Sequence, residues 1–368
     1  MHRPATIEEL CEIVAQARAV GGKLRLRGGG SKDAVGAPCE AEVVDLRGLS
    51  GVVDYDPAEL VLTVRAGTPL SQVQELVAGA GQMLAFDPFD HANMLHRTCA
   101  ATIGGIIAAG VAGPGRLSRG GARDHLLGFT AVSGRGESFV AGAKVVKNVT
   151  GYDLPKLMAG SWGRLAALVE VTLKVLPAPR TSCTVAIRGL DAVQAVAAMA
   201  RTMGSAAEVS AAAHLPDWQG EALTALRLDG FAESVAARMA MLPDFAPVED
   251  GDALWLAVRD AQPLPRDLPL WRVIVAPGRA PEVVAALPDA AWLFDWAGGL
   301  IWLATDADPM KLRDVAVAAG GHATLWRADA AMRAAVPTLH PQPRALAALE
   351  ERVRRAFDPD GVFETGRF

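Results

Sequence analysis

One stretch of the chain reads Ala101-Thr102-Ile103-Gly104-Gly105-Ile106-Ile107-Ala108-Ala109-Gly110-Val111-Ala112-Gly113-Pro114-Gly115-Arg116. The same glycine-rich composition continues in Gly120-Gly121-Ala122-Arg123-Asp124 and at Gly128. Glycine recurs every few residues, and the positions between the glycines hold Ile, Val and Ala instead of Ser and Asn. A flexible linker would be polar, so this composition favours buried backbone that lies close to a flat or charged group. Taken alone, the stretch is equally compatible with a tightly packed core loop.

A second glycine cluster, Arg27-Gly28-Gly29-Gly30-Ser31-Lys32, follows the alternating segment Lys23 to Arg27, which predicts a strand. Because glycine permits positive φ values, such a loop can turn several backbone amides toward one point, and Arg27 or Lys32 adds charge. An ordinary turn remains the alternative for this cluster by itself. Two clusters in one domain favour a large ligand that carries a diphosphate.

Two common nucleotide-binding folds are disfavoured by the same loop. A nicotinamide fingerprint needs Gly-x-Gly-x-x-Gly opening a helix, but position 33 is Asp and no helix is predicted directly after it. A Walker loop needs Gly-Lys-Ser/Thr, and Ser31-Lys32 has the opposite order.

Size and charge restrict the class of protein. The 368 residues are enough for two domains, and the net charge of −5 argues against nucleic acid as a partner. The apolar run from Ile103 to Gly113 is too short to span a bilayer. Glu8, Glu9 and Glu12 interrupt the N-terminal apolar positions, so no signal peptide is expected.

The four cysteines, Cys11, Cys39, Cys99 and Cys183, are far apart and have no Cys-x-x-Cys spacing. The pattern excludes a ferredoxin-type cluster or a zinc knuckle on this chain, and no metal site is expected. We interpret these residues as buried thiols in a reducing compartment, which predicts a cytoplasmic protein.

The periodicities predict an α+β fold in three parts. Residues 1–178 form the glycine-rich domain, residues 179–336 form a smaller domain of antiparallel sheet with helices, and residues 337–368 form a helix and tail that return to the first domain. Strands are predicted in the second domain at Ser182 to Ile187, Trp255 to Val258, Trp271 to Val275 and Leu300 to Ala304, and helices near Ala192 to Met203, Ala232 to Met241 and Met310 to Ala319. The tail helix carries an apolar face of Leu346, Leu349, Val353 and Phe357.

A third element is Lys147-Asn148-Val149-Thr150-Gly151-Tyr152-Asp153-Leu154, followed by Gly160-Ser161-Trp162-Gly163. By itself it could be a helix entry capped by Thr150 or Asp153 and then a turn. The three elements in this order resemble the flavoproteins with a PCMH-type (vanillyl-alcohol-oxidase-like) FAD-binding domain. The closing run Phe357 to Phe363 with Gly366-Arg367 is similar to the C-terminal signature of that family.

Within that family, Val145 to Leu154 and the short length resemble the smaller FAD-binding subunits of bacterial glycolate oxidases (glycolate dehydrogenases). The resemblance covers residues 1–178 and the last dozen residues. It implies a PCMH-type domain of two α+β subdomains with FAD bound non-covalently, since the first glycine loop has Ser31 and no histidine. It implies cofactor contacts by Arg27, Gly28, Gly29, Gly30, Ser31, Lys32, Pro88, Thr102, Ile103, Gly104, Gly105, Ala108, Ala109, Gly110, Gly115, Arg116, Arg123, Asp124, Val169 and Arg367.

No catalytic residue is identified from the sequence. Related 2-hydroxy-acid flavoenzymes use a His-x-Gly-Asp-Gly-Asn-x-His stretch, and nothing like it occurs here. We expect His91, His96 and His125 to be structural. The resemblance implies a larger catalytic FAD subunit and an iron-sulfur subunit as partners, with the complex oxidising glycolate at the inner face of the membrane.

Two other functions stay open at this point. The chain could be a free-standing FAD dehydrogenase or oxidase of another small 2-hydroxy acid or alcohol. It could also be a scaffold that has kept the fold and lost the flavin. The visible spectrum of the purified chain, before and after glycolate is added, separates the three.

Overall fold

The computed structural model describes residues 1–142 and 152–368. Its first half alternates short helices and strands around the glycine-rich stretches. In chain order these are α1 (Ile7–Ala19), β1 (Leu24–Arg27), β2 (Glu42–Asp45), β3 (Val52–Asp56), β4 (Val61–Arg65), α2 (Leu70–Gly79), β5 (Gln82–Leu84), α3 (Ile103–Ala109), α4 (Arg116–Arg119), α5 (Ala122–His125), β6 (Leu126–Ser133), β7 (Ser138–Gly142), α6 (Leu154–Met158) and β8 (Ala166–Pro177).

These strands form two sheets in the described part of the first half. β1 and β2 pair in parallel, while β3, β4, β8, β6 and β7 form an antiparallel sheet in that order, with β5 also paired to β8. α3 packs on this larger sheet, because Ile103, Ile106 and Ile107 share one core with Val171 and Leu173. The apolar residues between the glycines are therefore core residues of the first domain.

The second half contains β9 (Thr181–Arg188), α7 (Ala192–Met203), β10 (Ala211–Trp218), β11 (Glu221–Gly230), α8 (Ala232–Met239), β12 (Ala246–Pro247), α9 (Gly251–Arg259), β13 (Leu270–Ile274), α10 (Ala280–Ala285), β14 (Ala291–Asp295), β15 (Leu300–Ala304), α11 (Pro309–Ala318), β16 (His322–Arg327), α12 (Ala330–Ala335) and α13 (Arg344–Phe357). Residues 181–327 build one eight-stranded antiparallel sheet, in the order β12-β9-β11-β10-β14-β15-β13-β16. The mixed helix and sheet confirm the predicted α+β class.

The two faces of this eight-stranded sheet have different neighbours. One face packs against helices, with Val196, Met199 and Val235 in a common core. The other face shares a core with the first half of the chain, where Phe89 and Val111 meet tryptophans of the sheet. The region around the glycine-rich stretch is therefore covered by the second sheet.

Two expectations about local structure are wrong. Trp255 to Val258 lies in α9 and not in a strand, because Asp250 caps this helix by accepting the Ala253 amide at 3.2 Å. Leu254, Trp255 and Val258 are then buried on one helical face. The four cysteines are only partly buried, not fully buried as expected.

The C-terminal tail packs beside β1. Phe363 forms a parallel bridge with Leu24 of β1, and the Glu364 amide donates to the Leu24 carbonyl at 2.9 Å. Asp358, fully buried, accepts hydrogen bonds from the amides of Val362 and Phe363 at 2.8 and 2.9 Å. The tail thus runs beside the strand that leads into the first glycine loop.

None of the helices in residues 1–142 and 152–368 has both the length and the apolar character that crossing a membrane requires.

Candidate functional site

The two glycine clusters lie against each other, as the sequence predicts. A Cβ atom on Gly29 would stand 1.6 Å from the carbonyl oxygen of Ala100, and one on Gly28 would stand 2.2 Å from the Thr102 hydroxyl. Real side chains cannot occupy such spaces, so glycine is required for this close approach. The loop after β1 consequently lies directly on the segment that opens α3.

An elongated cleft runs along this contact. Its first part has about 470 Å³ of empty space, some of it open to solvent, and is lined by Arg27, the loop from Gly28 to Asp33, Thr102, Gly105, Ala108, Ala109, Trp162 and Arg367. The adjoining part has about 430 Å³ and shares Arg27, Thr102 and Gly105 with the first. Its other walls are mainly apolar, from Leu46, Ala66, Ala166 and Leu168. A cleft that is charged at one end and apolar at the other suits a dinucleotide, which has a diphosphate and flat rings.

The backbone of the glycine loop supplies donors for an anion. Among the residues that the structure describes, no acceptor bonds the amides of Gly29, Gly30, Ser31 or Lys32. Gly30 has a φ of +82°, a conformation that L side chains rarely adopt. Successive amides left free in such a loop form an anion-binding nest, so the loop fits a diphosphate group.

Two cations stand at the charged end of the cleft. Lys32 is only 8% exposed, and its Nζ lies 3.4 Å from the Ser31 hydroxyl. Burial lowers the pKa of the Lys32 amine to about 8, although the Asp90 carboxylate opposes the shift. Arg367 donates to the Lys32 carbonyl at 3.0 Å and stacks over the Trp162 ring at 4.7 Å. Burial also lowers the pKa of Arg367, to about 10, so this side chain stays cationic at neutral pH.

The first turn of α3 does not offer free amides to a ligand. The amides of Ile103 and Gly104 donate to the carbonyls of Thr68 and Ala66 at 2.9 and 2.8 Å, and the Gly105 amide donates to the Thr102 hydroxyl at 3.3 Å. The adjacent glycines therefore have different roles. A Cβ on Gly104 would stand 2.6 Å from that of Ala66, whereas one on Gly105 would meet only the Thr102 hydroxyl, at 3.2 Å. Gly104 permits packing on β4, and Gly105 keeps the cleft open.

The structure places twelve of the sequence-predicted cofactor residues on the cleft wall: Arg27, Gly28, Gly29, Gly30, Ser31, Lys32, Thr102, Gly104, Gly105, Ala108, Ala109 and Arg367. In the part of the chain that the structure describes, neither histidine nor cysteine lines the two parts of the cleft. The motif residues Val145 to Gly151 lie outside the described residues.

Three other predicted contacts are interior packing positions. Ile103 and Val169 belong to hydrophobic cores and are at most 1% exposed. Val169 lies inside β8. Gly110 ends α3 with a φ of +63°, and a Cβ there would be 2.8 Å from the Cα of Gly160.

The remaining predicted contacts do not line the two parts of the cleft. Pro88 bridges Ala112, and the Gly115 amide donates to the neighbouring Asp87 carboxylate at 3.0 Å. Exposed Arg116 lies over the Trp296 ring at 4.9 Å. Asp124 accepts the Gly121 amide at 2.8 Å, and Arg123 beside it is exposed. Their contact with a cofactor remains a prediction.

Sequence reasoning missed several wall residues, most clearly Trp162. It belongs to the Gly160-Ser161-Trp162-Gly163 turn, has a φ of +56°, and its amide donates to the Ala108 carbonyl at 2.8 Å. A non-glycine residue in this strained conformation is a signal of a functional site, but it is visible only in the backbone. Leu26 and Asp33, which flank the glycine loop, were also missed.

Lys32 gives the first testable prediction. In the apoprotein, Lys32→Met should raise the free energy of unfolding at pH 7 by on the order of 2 kcal/mol, because it removes a buried charge. The same change should weaken FAD binding by roughly tenfold, because a cation of the cleft is lost. Opposite effects on stability and binding distinguish a ligand-binding cation from a structural one.

The pH dependence of this effect has a defined sign. The folded-state pKa of Lys32, about 8, lies below the ordinary value of 10.5. Between these values the unfolded chain holds one more proton, so wild-type stability rises with pH and the advantage of Lys32→Met shrinks. Thermal unfolding of the apoproteins from pH 7 to 10 measures this, with Lys311→Met at an exposed position as the control. A stability difference that does not change over this range would contradict the prediction.

The parallel strand pair, the antiparallel sheet and the charged glycine cleft define a dinucleotide-binding flavoprotein fold. A family model described as an FAD binding domain matches residues 1–142. The chain is 35% identical over 364 residues to glycolate oxidase subunit GlcE of Escherichia coli (strain K12). The aligned region covers 98% of this chain and 96% of that protein. It is also 31% identical over 161 residues to glycolate oxidase subunit GlcD of Bacillus subtilis (strain 168). That aligned region covers 43% of this chain and 33% of that protein.

Among solved structures, an alkyldihydroxyacetonephosphate synthase aligns with a TM-score of 0.66 at 14% identity, over 98% of this chain and 75% of that chain. This likeness supports the fold alone. The chain belongs to the family of glycolate oxidase subunit GlcE, within the flavoproteins that carry an FAD binding domain. Its cofactor is FAD.

Proposed function

We propose that this chain is the FAD-binding subunit of a complex that oxidises glycolate to glyoxylate. The similarity to subunit GlcE along almost the whole length supports this proposal, as does the partial similarity to subunit GlcD. The observation that carries it is the cleft whose wall holds Lys32, Arg367 and the loop from Gly29 to Lys32, whose four amides have no acceptor among the described residues, beside an apolar recess.

Different residues of the cleft would bind different parts of FAD. The amides from Gly29 to Lys32 would bind the diphosphate, with Lys32 and Arg367 neutralising its charge. Gly105 would leave room for the dinucleotide, and the recess beside Leu46 and Leu168 would exclude water from a flat ring. Bound FAD supplies the two-electron acceptor for oxidation of a 2-hydroxy acid.

We place the proton-accepting group for glycolate on another chain. Oxidation of a 2-hydroxy acid needs a base beside the hydroxyl group. Related 2-hydroxy-acid flavoenzymes carry a His-x-Gly-Asp-Gly-Asn-x-His stretch, which this sequence does not contain. This chain would therefore relay electrons or support assembly, next to a larger catalytic flavin subunit and an iron-sulfur subunit at the cytoplasmic face of the membrane.

Visible absorption of the purified chain tests the proposal. We expect flavin bands, release of all flavin by heat because the binding is non-covalent, and no bleaching by glycolate until the larger flavin subunit is added. Bleaching of the isolated chain by glycolate would favour a free-standing dehydrogenase instead. A chain that takes up no FAD at saturating concentration would be a scaffold, and the proposal would be wrong.

A further inference from the structure

The helix α13 is anchored at only one end. Residues 341–350 are exposed without interruption, which includes the first half of this helix. Leu346 and Leu349, one turn apart, are 42% and 47% exposed. Val353 and Phe357 continue the same apolar stripe and pack against the core of the first domain. A stripe that is half buried and half exposed is typical of a helix that a partner completes.

A wide cleft lies beside the exposed half of the helix. We name it the tail cleft; its empty space is about 1240 Å³, and its walls include Arg164, Arg333, His340, Ala347, Glu351 and Arg367. Part of this space is open to the solvent, so the cleft is a surface groove that a segment of another polypeptide can enter.

The tail cleft has an excess of positive charge. Glu351 is paired with Arg354 at 3.2 Å and Arg355 at 3.0 Å, with Arg164 at 3.5 Å. Arg333 points its guanidinium at the carbonyls of Ala34 and Gly36 and not at a carboxylate. Three arginines of the wall, Arg164, Arg333 and Arg367, outnumber its two glutamates, so an acidic segment would be attracted to this cleft.

The tail cleft is next to the FAD cleft. Arg367 lines both, and its guanidinium covers the Trp162 ring on the FAD side. A protein seated in the tail cleft would be separated from the FAD cleft by this one side chain and the indole beneath it. Electron exchange between two flavin subunits requires such an approach.

We propose that the tail cleft and the exposed half of α13 are the docking surface for the larger flavin subunit, which contacts them through an acidic segment carrying apolar side chains. This proposal rests on the proposed function. An anionic membrane is disfavoured as the occupant, because the site is a recess and a membrane presents an extended surface.

The test compares two pairs of charge substitutions in the full-length chain, co-expressed with the larger flavin subunit. Leu346→Asp with Leu349→Asp should weaken assembly at least tenfold, since both apolar anchors are lost and an acidic partner is repelled. Met310→Asp with Val317→Asp is the matched control, because these residues of α11 are 72% and 55% exposed and lie neither on α13 nor on the wall of the tail cleft. Light scattering measures the mass of the complex, and bound FAD reports whether each variant is folded.

Hydrogen exchange on the wild-type proteins keeps the test independent of folding. Formation of the complex should protect amides in residues 333–350, and protection confined to other segments would overturn the docking assignment while leaving the proposed function intact. Normal assembly of the leucine variant would overturn it too. The assignment would also be overturned if the isolated wild-type chain formed a dimer, or bound anionic vesicles, and the leucine variant abolished that dimer or that binding. If the wild-type chains never associate, the proposed function fails as well.

Discussion

Replacing Gly105 by leucine is expected to reduce FAD affinity at least roughly a hundredfold, or about 2.8 kcal/mol, without destabilising the apoprotein. The residue lines both parts of the FAD cleft, and a Cβ there meets only the Thr102 hydroxyl. A leucine side chain would extend into the space that the dinucleotide needs. Leucine also has a higher helix propensity than glycine, so α3 itself should not suffer.

The neighbouring glycine provides the contrast. Gly104→Leu should lower the melting temperature, because its side chain would collide with Ala66 and its backbone, whose atoms lie within 3.1 Å of the Cβ position. Gly79→Leu is the neutral control, since nothing lies within 4 Å of a Cβ at this exposed end of α2. FAD titration by tryptophan fluorescence and thermal unfolding of the apoproteins measure the three variants. Full FAD affinity in Gly105→Leu would show that the cleft does not hold the dinucleotide.

This pair of glycines also shows what sequence can establish and where it stops. The apolar residues between the glycines correctly predict buried backbone, and the contact between the two clusters follows from their composition. The reason for each glycine depends on its neighbour in space. Nothing in the sequence distinguishes Gly104, which faces Ala66, from Gly105, which faces the cleft.

The same limit explains the other differences between prediction and structure. An apolar run such as Trp255 to Val258 is compatible with a strand or a buried helix, and here the cap at Asp250 selects the helix. The resemblance implies a cofactor contact by Val169, but β8 begins at Ala166 and buries this residue in the core. Trp162 reaches the cleft only because the backbone turns through a positive φ.

The tail contributes to the FAD cleft through a chain of backbone contacts. Asp358 holds the amides of Val362 and Phe363, which aligns Glu364 with Leu24 of β1 and brings Arg367 to the Lys32 carbonyl. The strand β1 ends directly before the first glycine loop. The last residues of the chain are therefore part of the FAD site, although they are more than 300 positions away in sequence.

Asp358→Ala is accordingly expected to destabilise the protein by about 3 kcal/mol, because two buried amides lose a charged acceptor. Release of the tail should also lower FAD affinity, by roughly tenfold, since Arg367 would leave the cleft. Thermal unfolding and FAD titration measure the two effects, and hydrogen exchange at residues 362–367 reports whether the tail has separated from β1.

Asp360→Ala is the matched control two positions away. Its carboxylate pairs with Arg18 at 2.5 Å, but both side chains are about half exposed, at 49% and 46%, so the pair should contribute less than about 1 kcal/mol. If Asp358→Ala lost stability but kept full FAD affinity with the tail released, Arg367 would have no part in binding. The FAD site would then be formed by the first domain alone, and the position of the C-terminal residues beside the glycine loop would serve stability only.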